Sequence, residues 1–204
     1  MKTRTLILAA GALASVLVFA GCSGTDSGMA GMDHGSSSTP TDRPSVSADA
    51  FNDADVMFAS MMIGHHQQAV EMSDVLLAKT GIDERVTELA QKIKDAQEPE
   101  IQTMSGWLDD WGQPMSTDDS MSGMDHGSDG TMSAEDMTAL ENAEGVDASK
   151  LFLQQMTEHH QGAIDMAQEE IDNGQNTDAV ALANKIVTDQ TAEISTMQDL
   201  LGTF

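Results

Sequence analysis

The chain has 204 residues, with 34 Asp and Glu against 9 Lys and Arg and a formal charge of −25. That balance excludes a nucleic-acid backbone as partner, because phosphate binding needs a basic footprint, and it suits a solvated surface that concentrates cations. The single cysteine excludes an intrachain disulfide framework.

Lys2 and Arg4 precede an apolar run from Leu6 to Ala20, followed by Gly21-Cys22. Residues 1–21 read as a secretory signal, and the run is too short for a comfortable membrane span. Phe19-Ala20-Gly21-Cys22 resembles a bacterial lipobox, with Phe19 where leucine is usual. The resemblance implies lipidation of Cys22 and an anchor on the outer face of the cytoplasmic membrane. Residues 22–46 are Ser, Gly, Thr, Asp and Pro with few apolar side chains, and they read as a disordered tether. Inside it stands Met29-Ala30-Gly31-Met32-Asp33-His34-Gly35.

Residues 47–112 read as a first helical hairpin. Phe51, Ala54, Phe58, Met62, Ala69 and Leu76 recur at helical spacing. Ser47 or Asn52 caps this helix, and Thr80-Gly81 ends it near Lys79. Asp83 caps the next helix, whose inner stripe is Val86, Leu89, Ala90, Ile93, Gln97, Ile101, Met104 and Leu108. Pro99 inside it frees the Asp95 carbonyl, which favours a bend. Gly112-Gln113-Pro114 stops it.

Residues 113–146 form a long polar connection that holds Met121-Ser122-Gly123-Met124-Asp125-His126-Gly127, nearly the string found in the tether. Ser133 opens a short helix to about Ala143. Residues 147–204 repeat the hairpin, with one helix from about Asp147 to Ile171 and another from a Thr177 cap to about Leu201. There is no strand pattern.

The repeat is explicit. Phe58/Phe152, Met62/Met156, His65/His159, His66/His160, Ala69/Ala163 and Met72/Met166 pair at one constant offset. Ala90/Ala183, Lys92/Lys185, Ile93/Ile186, Gln97/Gln190, Glu100/Glu193 and Met104/Met197 pair at an offset one residue shorter. A repeat of this length marks a duplicated structural unit. One hairpin cannot bury both its apolar stripes, and two together give an all-α, antiparallel four-helix bundle.

Each copy places two imidazoles between two thioethers on one helix face. Adjacent histidines lie about 100° apart on a helix, so both members of a pair cannot point to one centre. Buried histidines are often plain hydrogen-bonded core, and Met is a common core filler. Two such pairs facing each other, however, make a soft to borderline donor set that selects Cu(I) over Mg, Ca or Mn. Thioether is a poor zinc ligand, and there is no Cys cluster. The candidate ligands are Met62, His65, His66, Met72, Met156, His159, His160 and Met166. Met29, Met32, Met115, Met121, Met124, Met132 and Met137 fall in stretches too polar for a core. Of these, Met32 and Met124, with His34 and His126, are candidate auxiliary sites for copper capture.

The pattern Met62, His65, His66, Ala69, Met72, then Gln97, Glu100, Ile101, Met104, resembles the bacterial family catalogued as domain of unknown function 305. Both copies carry it. The resemblance implies a ferritin-like helical bundle, export, and copper binding linked to copper tolerance, and it adds Met104 and Met197 to the ligand set.

The expected function is a non-enzymatic, membrane-anchored protein that sequesters or delivers Cu(I), with a copper-transfer partner of unknown identity. Two alternatives stay open. A ferritin-like di-iron oxidoreductase would use Glu-x-x-His on two helices, and no Glu stands three residues before any bundle histidine. A structural or partner-binding bundle would hold the four histidines as core.

Overall fold

The structure, a computed structural model, describes residues 50–113 and 130–204. These residues form five helices: α1 (Asp53–Leu77), α2 (Glu84–Asp110), α3 (Ala134–Asn142), α4 (Gly145–Asn173) and α5 (Thr177–Leu201). No strand occurs among them, and no helix among them is long and apolar enough to cross a membrane. The signal segment, Cys22, the tether with Met32 and His34, and the linker string with Met124 and His126 lie outside the described residues.

Local chemistry sets the helix ends. The Asn52 side chain accepts from the Ala54 and Asp55 amides, and Asp55 accepts from the Asn52 amide, closing a capping box. Asp83 caps α2 through the Arg85 amide. Ser133 and Asp136 form a second capping box on α3. The cap of α5 is Asn176, not Thr177: its side chain accepts from the Asp178 and Ala179 amides. Asn is at least as good a cap as Thr, so residue type gave no ground for choosing Thr177 over its neighbour. α2 runs without interruption through Pro99.

α1 lies along α2 and α4 along α5, so each hairpin is a tight pair. α1 against α4 is the main contact between hairpins, whereas α2 and α5 touch only briefly. Both cross-pairs are antiparallel. At one end Asn52 Nδ2 donates to the Asn173 carbonyl at 2.9 Å. At the other Arg85 Nη2 donates to Thr203 Oγ1 at 3.1 Å.

The same end contacts show the repeat in three dimensions. Asp55 accepts the Asn176 amide at 2.8 Å, and its repeat partner Ser149 accepts the Asp83 amide at 3.2 Å. The repeat is therefore geometric as well as sequential.

The core falls into two apolar halves along the bundle. One contains Ala69, Met72, Leu76, Ile93, Phe152, Met156 and Met197. The other contains Phe58, Met62, Met104, Leu108, Ala163 and Ile186. On α1 and α4 alike, the paired histidines sit between the residues of one half and those of the other.

From Gly130, the first described residue after the linker, the connection crosses the α1/α4 face. Gln68 clamps it, donating to the Met132 carbonyl at 2.9 Å and accepting the Met132 amide at 2.7 Å. α3 follows, with Leu140 fully buried and Gln155 Nε2 donating to the Asp136 carbonyl at 2.9 Å. Met132 and Met137 pack against the first core half. Burial therefore does explain these two methionines, contrary to the polar character of their neighbours. They are the apolar underside of a short amphipathic segment.

Candidate metal centre

All four bundle histidines are buried: His65 is 2 % exposed and His66, His159 and His160 are 0 %. The members of each pair diverge, as their angular separation on a helix requires. His65 and His159 meet each other across the α1/α4 seam, with ring centroids 3.6 Å apart and planes tilted by 37°. His66 and His160 turn instead to the second helix of their own hairpin. His66 Nε2 lies 2.9 Å from Glu100 Oε2, and His160 Nε2 lies 3.0 Å from Glu193 Oε2.

Each glutamate has a second partner from the opposite hairpin. Lys185 Nζ donates to Glu100 Oε1 at 2.8 Å, and Lys92 Nζ lies 3.3 Å from Glu193 Oε1. Two lines, Lys185–Glu100–His66 and Lys92–Glu193–His160, thus run from the surface to the centre of the bundle.

The electrostatics favour neutral rings at His66 and His159 and ionised carboxylates at Glu100 and Glu193. Burial, partly opposed by the hydrogen bond to Glu100, holds the His66 imidazole below its ordinary value. His159 is held well below it by burial and then by the neighbouring rings of His65, His160 and His66. Burial pushes both glutamates up, but the hydrogen bonds to His66 and Lys185 outweigh it at Glu100. His160 and Lys92 do the same at Glu193, so both carboxyls sit below the usual range. A carboxylate only accepts, so Nε2 of His66 and of His160 carries the proton. The neutral His66 keeps a lone pair on Nδ1, and the neutral His159 keeps one on its unprotonated nitrogen.

Those lone pairs have no use within the described protein. His66 Nδ1, His160 Nδ1, both ring nitrogens of His159, both amide atoms of Gln97 and Gln190 Oε1 are buried without a hydrogen-bond partner among the described residues. Leaving one buried polar group unsatisfied costs about 1–3 kcal/mol, and a native fold keeps few of them. A ring nitrogen freed for coordination, with its other nitrogen donating to a carboxylate, is the usual arrangement of a metal-binding histidine.

Thioethers flank this layer, those of Met62, Met104, Met156 and Met197 about one helical turn away and that of Met72 nearly two. Met62 and Met104 are fully buried in one core half. Met156, Met197 and Met72 are fully buried in the other, with Thr157 Oγ1 donating to Met197 Sδ at 3.8 Å. Met166 departs from this plan. It is half-buried in a groove of about 290 Å³ that it lines with Met57 and Met61, whereas its repeat partner Met72 is fully buried. No group of three His, Cys, Asp or Glu that could hold a metal ion occurs among the described residues. A soft metal held here would need thioether donors as well.

Lys92 and Lys185 were not candidates from the sequence, although they stand as a repeat pair beside Glu100 and Glu193. The signal was their common offset. What was missing was the crossing between hairpins, which only the packed bundle supplies.

Solved structures resemble the chain over most of its length. A protein from Streptomyces coelicolor described as secreted is 38% identical with a TM-score of 0.67, over 77% of this chain and 94% of that one. A fragment from Deinococcus radiodurans is 29% identical with a TM-score of 0.68, over 75% and 98%. CopM in its Cu(I)-bound form is 30% identical with a TM-score of 0.61, over 73% and 96%. CopM is also known in Cu(II)-bound and Ag-bound forms. No curated protein matches the chain. A single family model spans both hairpins, residues 55–201, and the chain belongs to the family it describes, Domain of unknown function (DUF305).

Proposed function

We propose that this protein binds copper, as Cu(I), in the buried histidine layer of its bundle, and that it stores or hands on the ion outside the cytoplasm without catalysing a reaction. The observation that carries this reading is the set of orphaned ring nitrogens: His66 Nδ1, His160 Nδ1 and both ring nitrogens of His159, fully buried and flanked by fully buried thioethers. Neutral imidazole and thioether suit Cu(I). The copper-bound forms of CopM support the choice of metal. A di-iron centre is disfavoured, because the carboxylates it would need are not gathered among the described residues. Export is supported by the secreted relative and by the basic-then-apolar N-terminus, and the lipobox resemblance supports an anchor at Cys22. Met32, His34, Met124 and His126 would act as weaker capture sites.

The test is a Cu(I) titration against a competing chromophoric chelator. It compares the wild type with a variant in which His65, His66, His159 and His160 are all Gln. Tight binding by the wild type and only weak residual binding by the variant is expected. Equal binding by both would move copper to the strings around Met32/His34 and Met124/His126 and make the histidines structural. Absence of binding in the wild type would end the copper reading.

A further inference from the structure

Buried donors need a route by which the ion arrives. The α1/α4 seam is covered by the returning connection and α3, with Leu140 fully buried against it. The opposite seam is different. Between α2 and α5 lies a cleft of about 170 Å³ lined by Lys92, Gln97, Glu100, Lys185, Gln190 and Glu193. Its rim is wet, since the Lys92 and Lys185 side chains are 68% and 54% exposed. Its inner lining is the buried Gln97 and Gln190 with Glu100 and Glu193, the carboxylates bonded to His66 and His160. Gln97 and Gln190 are each 3% exposed, and Gln97 offers two amide atoms, and Gln190 its Oε1, to no protein partner.

We propose that this cleft is a transit site for the incoming copper ion, and that the ammonium groups of Lys92 and Lys185 are displaceable stand-ins for it. The inference rests on the copper reading above. Each glutamate already spans the distance the ion must cover, with one oxygen toward the cleft mouth and the other on a histidine whose remaining nitrogen is free. A cation on Glu100 Oε1 or Glu193 Oε1 replaces a lysine without breaking the carboxylate–histidine bond. Carboxylate and amide oxygens are hard donors and hold Cu(I) weakly. The ion therefore gains by moving on to imidazole and thioether. Lysine is suited to the role because its strongly hydrated charge rides on a flexible stem, and Asp189, which also accepts from Lys185 Nζ at 2.8 Å, can keep that ammonium when Glu100 takes the ion.

The test separates rate from affinity. The purified protein is mixed with Cu(I) held by a chromophoric chelator, and transfer is followed in a stopped-flow instrument. The equilibrium affinity is titrated in parallel. Lys92→Gln with Lys185→Gln removes the stand-ins at two exposed positions and leaves both carboxylates facing the cleft. Transfer should quicken by roughly tenfold, within the range that local charge exerts on association rates, while affinity changes far less. Ala96→Trp with Ala192→Trp covers the cleft mouth and should slow transfer with affinity kept. Far-UV circular dichroism checks that both variants fold. If both variants bind copper tightly and load at the wild-type rate, the cleft is not the route and the proposal is overturned while the copper reading stands. If the wild type binds no copper in the equilibrium titration, the copper reading itself fails and the transit site falls with it.

Discussion

Replacing Glu170 by glutamine tests the electrostatics at the end of the bundle. Glu170 is 1% exposed and sits beside Asp55, which is fully buried. The Asp55 carboxylate accepts the amides of Asn52, Gln175 and Asn176. Burial first, and the neighbouring Asp55 second, push the Glu170 carboxyl up from 4.5 to about 8. The native state therefore keeps a proton that the unfolded chain has released, across the window from 4.5 to about 8. Stability contributed by this group is full below that window, is lost as pH rises through it, and stays lost above it. At about 1.4 kcal/mol per tenfold change, the ceiling is about 5 kcal/mol. Glu170 also borders the groove shared with exposed Met57, where water screens charge, and about 2 kcal/mol is the reasonable expectation. Glutamine keeps the shape and cannot ionise. The apo forms of wild type and Glu170→Gln are compared by thermal unfolding at a series of pH values from 4 to 9.5. The two should melt alike at the acid end. At the alkaline end the variant should be more stable by about 4–8 °C, taking about 2–4 °C per kcal/mol. A difference that stays flat with pH, or one that favours the wild type as pH rises, would refute the reasoning.

Two further predictions concern the covered face. Gly130 has φ +76°, and a Cβ there would lie 2.7 Å from the Glu158 carbonyl and 2.9 Å from Gly162 Cα. Gly130→Ala should lift the connection off α4 at a cost of about 1–3 kcal/mol, read as faster amide exchange over residues 131–142 with exchange in α2 and α5 unchanged. Leu140→Ala should cost about 2–4 kcal/mol by emptying a fully enclosed site, and chemical denaturation would measure it. A loss under 1 kcal/mol would mean that α3 is not part of the cooperative core.

Much of this was legible from residue spacing. The periodicity of Phe58, Met62, Ala69 and Leu76 placed one face of α1 in the core, and that face is buried. The cap at Asp83 and the helix start at Ser133 could be read directly, and Asn52 was one of two candidates with Ser47, because a short polar side chain before an apolar period has few other uses. Divergence of adjacent histidines followed from helix geometry alone. What lay beyond reach depended on how the hairpins meet. The Lys185–Glu100 and Lys92–Glu193 pairs join residues far apart in sequence, and nothing local distinguishes those lysines from others on a solvated face. Met166 shows the converse. Its spacing repeats that of Met72, yet it lines a half-open groove, because equal helix positions do not guarantee equal neighbours once the connection covers one side only.

The two crossing ion pairs obey the rule of a self-complementary interface: Lys92 meets Glu193, and Lys185 meets Glu100. In a two-fold dimer of identical hairpins such contacts are copies, and any mutation changes both at once. Here they are encoded separately, so each half is free to change without the other. The chain already uses that freedom. Asp55 stands opposite Ser149, Glu170 opposite Leu76 and Gln68 opposite Gly162, so the acid-rich clasp exists at one end only and the clamp of Gln68 on the connection has no counterpart in the second half. A symmetric pair of hairpins offers two equivalent routes and two equivalent ends. Fusing them into one polypeptide makes it possible to give the molecule a front and a back.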